Sequence, residues 1–244
     1  MLRIITVLTV ILYFIISCTA YQQPPLTEQA SIEPAQAVAL KKEKGAIFVD
    51  TMSYLECMDH RIPDSLCIAF EEFEEKSKAI LKNKGQHIIF YCESDECLRA
   101  GQTYQKAKIL GYKNIFILNG GLPAWKKAGY EVESIHRIKR APVVSIKPHM
   151  LERLIKEKKD LFILDARSED LYRSGHIDGA VNIPLYELSK RLKDIPKNRS
   201  VLVIDENGKK SFLVCCWLIN NGVKDVIRFY GGMKYKEAKE RKKG

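Results

Sequence analysis

The chain reads AIFVD at residues 46–50 and LFILD at residues 161–165, two apolar runs that each end in aspartate. Each run follows a helical pattern, which covers residues 34–44 in the first case and residues 148–159 in the second. An apolar run of this length is typical of a strand that is buried on both faces. Because the two copies occur in the same order, the sequence indicates an internal repeat of about 111 to 115 residues.

The rest of the repeat follows the same plan. HIIFY at 87–91 and SVLVI at 200–204 are matching strand patterns, and each precedes a short polar loop and an amphipathic helix. Each half then closes with a glycine-rich segment, at 111–121 and at 222–232. Strands that alternate with helices imply βα units and a parallel sheet. We therefore predict an α/β fold with two tandem domains, each a small parallel sheet flanked by helices.

The composition excludes several classes of protein. The 244 residues are 46% hydrophobic and have ordinary glycine and proline contents, which excludes a disordered or fibrous chain. Seven cysteines are too few for a small protein held together by disulfides. The formal charge of +10 is spread over segments of alternating sign, and only residues 234–243 form a dense basic run. We therefore expect no nucleic-acid partner.

The N-terminus has the pattern of an export signal. Arg3 precedes an uncharged apolar run at residues 4–16, which is too short to span a bilayer comfortably as a helix. The run ends in IISC at 15–18, which resembles the bacterial lipobox. This resemblance implies that Cys18 becomes the first mature residue and carries lipid. The alternative is an ordinary cleaved signal that happens to end in a cysteine.

These patterns predict the organisation and the location of the protein. We expect a signal peptide at 1–17, a lipid tether at 18–31, a first domain at 32–134, a linker at 135–146 and a second domain at 147–244. Lipid on Cys18 would anchor the protein to a membrane of the cell envelope, facing the periplasm, where disulfides persist. Thr19 follows Cys18 where aspartate would signal retention, which favours the outer membrane.

Short motifs in both halves resemble the rhodanese domain. LDAR at 164–167 and GHIDGAVNIP at 175–184 closely resemble its opening part. FYC at 90–92, GYKN at 111–114 and GGLPAW at 120–125 resemble its closing part. The resemblance covers residues 33 to about 238. It implies a sulfurtransferase without cofactor or metal, in which a cysteine takes sulfane sulfur from a small donor and passes it to a thiol or cyanide acceptor.

The resemblance places the reactive cysteine at Cys92. This residue directly follows the strand at 87–91, at the carboxyl edge where the crevice of such a sheet lies. Loop amides and a helix N-terminus would lower the pKa of the thiol and hold a persulfide anion. We expect the substrate to be bound by the surrounding residues, which are Glu93, Ser94, Asp95, Glu96, Leu98, Arg99 and Arg61.

The loop departs from the Cys-x-x-Gly-x-Arg pattern of the family, because it lacks glycine and is about two residues longer. Its three carboxylates oppose ionisation of the thiol and repel thiosulfate. Arg99, and Arg61 at the position of the family's histidine, are the candidate compensating cations. Cys97 is a candidate resolving thiol that would attack a persulfide or sulfenate on Cys92. Its alternative role is that of a small buried residue at the start of the helix.

The second half has Asp205 where the cysteine belongs, so we expect this half to be catalytically silent. Among the other cysteines, Cys57 and Cys67 flank a turn and either form a disulfide or pack separately. The adjacent residues Cys215 and Cys216 lie in an apolar helical stretch, where we expect them in the core.

Three other functions remain open. A thiol–disulfide redox protein would use Cys92 and Cys97 without sulfur transfer, and a binding module would use neither. A phosphatase or arsenate reductase of related fold would need a glycine-rich Cys-x5-Arg loop. The loop here is acidic and has six residues between Cys92 and Arg99.

Overall fold

The computed structural model describes residues 30–94 and 97–234. The predicted signal peptide, Cys18 and the loop residues Asp95 and Glu96 lie outside the described residues. Within the described part of the chain, no helix is long and apolar enough to cross a membrane. Two parallel sheets of five strands each form the framework of this part.

The first domain has its strands at β1 (Ser31–Ile32), β2 (Ile47–Asp50), β3 (Leu66–Cys67), β4 (His87–Tyr91) and β5 (Asn114–Leu118). Its helices are α1 (Pro34–Lys44), α2 (Tyr54–Asp59), α3 (Phe73–Ile80), α4 (Leu98–Ile109) and α5 (Gly121–Lys127), with a 3-10 turn at Phe70–Glu72. All the strand pairs are parallel, and the spatial order is β1-β5-β4-β2-β3. The strand β4 therefore lies at the centre of the sheet.

The second domain repeats this plan. Its strands are β6 (Val144–Ile146), β7 (Leu161–Asp165), β8 (Val181–Asn182), β9 (Ser200–Ile204) and β10 (Asp225–Phe229). Its helices are α6 (Leu151–Glu157), α7 (Glu169–Ser174) and α8 (Lys209–Asn220), with 3-10 turns at Pro148–Met150 and Leu192–Asp194. The spatial order β6-β10-β9-β7-β8 is the counterpart of that in the first domain, and it confirms the predicted fold class.

Local sequence signals set the ends of α1. Pro34 stands at its first position, and the side chains of Glu33 and Gln36 form a reciprocal capping box. Gly45 ends the helix in the left-handed conformation, with φ 63°. The helix predicted at 148–159 is shorter in the structure. It begins with a 3-10 turn and ends before Lys158, whose ψ of 84° is not helical. The last three residues of the predicted linker form β6, because pairing with β10 buries Ile146 in the second core.

Each domain has an apolar core that covers its sheet. Phe48, Ile89 and Phe90 are fully buried in the first domain, and burying a side chain of this size stabilises the fold by about 1.5–3 kcal/mol. Leu55, which belongs to α2 of the first domain, packs within the core of the second domain. The two domains are therefore packed together at α2, next to the loop that follows β4.

Candidate active site

The backbone holds Cys92 at the carboxyl end of the central strand. The residue directly follows β4, and its carbonyl oxygen accepts a hydrogen bond from the amide of Leu122 at 2.8 Å. Gly121 packs directly against this carbonyl with φ 54°, and a Cβ at Gly121 would collide with the oxygen. The glycine pair at the close of the repeat is therefore required for the close approach of α5 to the loop of Cys92.

Cys92 and Cys97 form a disulfide, with their Cα atoms 6.2 Å apart. Cys97 is the N-cap of α4, and its amide donates to the carbonyl oxygen of Ser94 at 3.1 Å. Cys92 is 2% exposed, whereas Cys97 is half-buried. The loop therefore brings the two sulfur atoms together, and Cys97 is the more exposed residue of the pair.

A cavity of about 290 Å³ adjoins this disulfide. Its lining includes both cysteines, Ser94, Leu98 and Asn119. Leu98 is 59% exposed and stands at the rim, on the first turn of α4. The volume is at the lower end of the range for small-molecule sites, which suits a ligand of a few heavy atoms.

Charged side chains from both domains meet beside the loop. Lys210, on α8 of the second domain, forms ion pairs with Glu93 of the loop and with Glu56 of α2. Arg99 of α4 also approaches Glu56, with 3.5 Å between Nη1 and Oε2. Burial raises the pKa of Glu56, but the charges of Lys210 and Arg99 outweigh this effect and lower the pKa to about 2. Glu56 is therefore an ionised carboxylate that is almost completely buried.

Arg61 makes its contacts near Glu133 and the disulfide of Cys67. Its Nε donates to Glu133 at 2.7 Å, and its Nη1 lies 3.4 Å from Sγ of Cys67. Cys67 in turn forms a disulfide with Cys57, with the Cα atoms 5.8 Å apart. The sequence allowed these two cysteines either to form a disulfide or to pack separately, and in the structure they form the disulfide. Within the described residues, the polar contacts of Arg61 are with this region, so Arg99 and Lys210 are the cations that the structure brings to the loop.

Asp50 is a buried carboxyl group at the end of β2, beside Tyr91 in the register of the sheet. Its Oδ1 accepts from the amide of Met52 at 2.8 Å, while its Oδ2 has no hydrogen-bond partner among the described residues. Burial raises its pKa to about 7. The equivalent Asp165 has Arg167 as a bidentate partner, with Nη2 and Oδ2 2.7 Å apart. Met52 stands where Arg167 would provide that partner.

In the second domain, the loop that corresponds to the loop of Cys92 begins with Asp205, which directly follows β9. Oδ1 accepts from the amide of Gly208 at 2.7 Å, and Oδ2 accepts from the amides of Lys210 at 2.7 Å and Ser211 at 3.0 Å. The amide of Met233 donates to the carbonyl oxygen of Asp205, as Leu122 does for Cys92. A fixed carboxylate thus occupies the ring of amides that could hold an anion, and no thiol is present there to react.

The two loops also differ in length. The helix α4 begins at Leu98, six residues after Cys92, whereas α8 begins at Lys209, four residues after Asp205. This agrees with the extra length expected from the sequence. Cys215 and Cys216 are buried free thiols in α8, and burial raises the pKa of Cys215 far above its usual range. The Cys215 thiol is therefore unreactive at neutral pH.

Sequence reasoning did not identify Glu56 or Lys210 as site residues. The signal for Glu56 is the Ser-x-x-Glu capping box at 53–56, in which the hydroxyl of Ser53 donates to Oε2 of Glu56 at 2.6 Å. That motif predicts the start of a helix and gives no sign of a contact with another domain. Lys210 is the second residue of α8, and Arg99 is the second residue of α4. An alignment of the two halves of the repeat therefore identifies Lys210 as the counterpart of Arg99.

Comparison with known proteins assigns the family. The rhodanese-like domain family matches residues 33–128 and 147–238. A putative sulfur carrier protein of Bacillus subtilis, YrkF, is 33% identical over 91 residues, which are 36% of this chain and 49% of that protein. A sulfurtransferase of Allochromatium vinosum is 26% identical over 91 residues, which are 37% of this chain and 85% of that protein.

Among solved structures, the thiosulfate sulfurtransferase of Pseudomonas aeruginosa aligns with 86% of this chain and 42% of its own, at 21% identity and a TM-score of 0.41. The family match covers more than half of the chain and includes both halves of the repeat. The chain therefore belongs to the rhodanese-like family, whose named relatives include sulfurtransferases, and it contains two such domains.

Proposed function

We propose that this protein is a sulfurtransferase in which Cys92 carries sulfane sulfur as a persulfide and Cys97 resolves that persulfide. The disulfide between the two residues carries the proposal, because it brings a second sulfur to the cysteine at the reactive position of the family. Cys92 is buried yet lines a cavity, which suits a reactive sulfur that must be reached by small molecules and protected from bulk solvent.

The first step loads the cysteine. The Cys92 thiolate attacks the sulfane sulfur of a donor such as thiosulfate or a polysulfide, and a new S–S bond forms at Sγ. The bond between that sulfur and the rest of the donor breaks, and sulfite or a shortened polysulfide leaves with the electron pair. The negative charge then resides on the outer sulfur of the persulfide.

The second step removes the outer sulfur from Cys92 by one of two routes. A thiol or cyanide acceptor attacks the outer sulfur and regenerates the Cys92 thiolate. Alternatively, the Cys97 thiolate attacks Sγ of Cys92, which forms the observed disulfide and expels the outer sulfur as hydrosulfide after it takes one proton. The cysteine pair loses two electrons on this second route, so an external thiol reductant must restore it before the next cycle.

We also propose that the protein is exported and held at a membrane of the cell envelope by lipid on Cys18. The signal pattern at residues 1–17 supports this location, and so do two disulfides in a chain that is not a small disulfide scaffold. Labelling cells with a radioactive fatty acid should tag the wild-type protein and leave Cys18→Ser unlabelled. Equal labelling of both would rule out this anchor.

The proposed sulfur transfer is tested by intact mass. The reduced protein is exposed separately to thiosulfate and to polysulfide, with Cys92→Ser and Cys97→Ser in parallel. We expect Cys97→Ser to gain one sulfur that cyanide removes, and Cys92→Ser to gain none. The wild type should release hydrosulfide and return to the disulfide. Failure of Cys97→Ser to retain sulfur from either donor would contradict the proposal.

The same disulfide also favours a second candidate, a thiol–disulfide redox protein. Such a protein would cycle between dithiol and disulfide without a persulfide. In the mass experiment, repeated with a mild oxidant, the wild type would lose two hydrogens, and neither donor would add sulfur, even to Cys97→Ser. The two functions therefore give opposite results in one measurement.

A further inference from the structure

Lys210 connects the catalytically silent loop of the second domain to the loop of Cys92. Its backbone amide donates to Oδ2 of Asp205 at 2.7 Å, and Asp205 is 4% exposed and holds two other amides of the same loop. The start of α8 is therefore rigidly placed. From this position the Lys210 side chain crosses the domain boundary to Glu93 and Glu56.

Glu56 and Glu93 differ in how much the neutralisation of their charge depends on Lys210. Glu56 is 3% exposed and also receives hydrogen bonds from the amide and hydroxyl of Ser53. Glu93 is 41% exposed and directly follows Cys92 in the chain. An unpaired carboxylate beside a thiol raises its pKa, whereas a carboxylate paired with a cation does so much less. The pairing of Glu93 thus bears directly on ionisation at Cys92.

We propose that Lys210 is a positioning residue for Cys92, through which the second domain neutralises Glu93 and holds it beside the reactive cysteine. Asp205 has a matching role, since it anchors the helix turn that carries Lys210. The silent domain therefore contributes to the site without reacting itself. This inference deepens the proposed function, because it rests on Cys92 being the reactive thiol.

The side chain of Lys210 contacts Glu93 of the loop and Glu56 of α2, and Arg99 of α4 approaches the same Glu56. Asp205 at the end of β9 accepts from its backbone amide, and the other charged residues that line the same cleft are Glu71, Arg167, Asp170 and Glu206. Asp95 and Glu96 belong to the same loop and lie outside the described residues. Lys210 is 26% exposed and lines a cleft of about 380 Å³ between the domains, so its replacement removes charge without opening an enclosed cavity.

The test measures the alkylation rate of Cys92 by iodoacetamide as a function of pH, in the full chain with Cys97→Ser and with the modified residue mapped by peptide mass. We expect Lys210→Gln to raise the pKa of Cys92 by about half a unit and to slow alkylation about threefold below that pKa. Lys210→Arg should restore the wild-type profile. Glu93→Gln should shift the profile in the opposite direction, to lower pH.

Lys209→Gln is the matched control, because it removes the same charge from an exposed neighbouring position. A Lys210→Gln profile that coincides with that of Lys209→Gln would overturn the proposal. A shift of the Glu93→Gln profile to higher pH would also overturn the proposal. This second variant keeps the test decisive if Lys210→Gln does not fold. Alkylation needs no sulfur donor, so these results stand whether or not Cys92 carries a persulfide.

Discussion

Replacing Glu56 with glutamine should weaken the packing of the two domains by a predictable amount. The substitution keeps the shape of the side chain and an oxygen that can accept the hydrogen bonds from Ser53, but it removes the charge that faces Lys210 and Arg99. Burial opposes ionisation of Glu56, yet the two cations hold its pKa at about 2 against an ordinary value of 4.5. This difference corresponds to about 3 kcal/mol of folding free energy at pH 7.

The sign of the pH dependence follows from the direction of this shift. A carboxyl group whose pKa is lowered in the folded protein stabilises the fold fully at pH values above its unfolded pKa. The contribution is lost as the pH falls through 4.5 towards 2. Wild type and Glu56→Gln should therefore differ by about 3 kcal/mol at pH 7 and converge near pH 2.

The assay is denaturant unfolding of both proteins at several pH values, with the disulfides intact. Tryptophan fluorescence follows both domains, because Trp125 lies in the first and Trp217 in the second. Glu131→Gln, at an exposed position, is the control for loss of one negative charge and should change the free energy of unfolding by less than about 0.5 kcal/mol. A Glu56→Gln difference that stays constant from pH 7 to pH 2.5 would refute the reasoning.

Three further substitutions test the surroundings of the site. Gly121→Ala should destabilise the protein by about 2–3 kcal/mol and slow alkylation of Cys92, because its Cβ meets the Cys92 carbonyl oxygen. The control Gly129→Ala, where φ is also positive but a Cβ meets nothing, should cost only about 1 kcal/mol in denaturant unfolding. Asp50→Asn should raise the free energy of unfolding by about 4 kcal/mol at pH 8 and leave it nearly unchanged at pH 3.5, since the stability that the protonated Asp50 provides is lost as the pH rises from 3.8 through about 7. An equal effect at both pH values would contradict this assignment. Asp205→Ala should lower the denaturant midpoint of the second domain by the equivalent of about 2–4 kcal/mol, because it leaves three loop amides without their acceptor; an unchanged midpoint would show that water replaces the carboxylate.

The sequence predicts the framework of this protein well for a physical reason. The buried strands at 87–91 and 161–165 are runs of apolar residues between turn signals, and both occur at those residues in the structure. The position of Cys92 follows from the first of these strands. Such patterns are local, so they need no knowledge of how the domains pack.

The contacts of single charged side chains could not be predicted in this way. Arg61 pairs with Glu133, which is far along the chain, through an antiparallel bridge that forms only when the chain returns past α2. Lys210 reaches Glu93 because the two domains pack at α2. Both contacts depend on the relative placement of distant segments, and hydrophobic periodicity carries no information about that placement.

The two halves of the repeat differ in how fully their buried polar groups are paired. In the second domain Asp165 is paired with Arg167, and the amides of the loop that follows β9 are bound to Asp205. In the first domain Asp50 keeps an unpaired buried oxygen, and the loop of Cys92 is closed by a bond that thiols can break. An unsatisfied buried polar group lowers stability, and proteins keep such groups where function needs them. The second domain thus places Lys210 through the fixed amides around Asp205, opposite a cysteine pair whose bond can be made and broken.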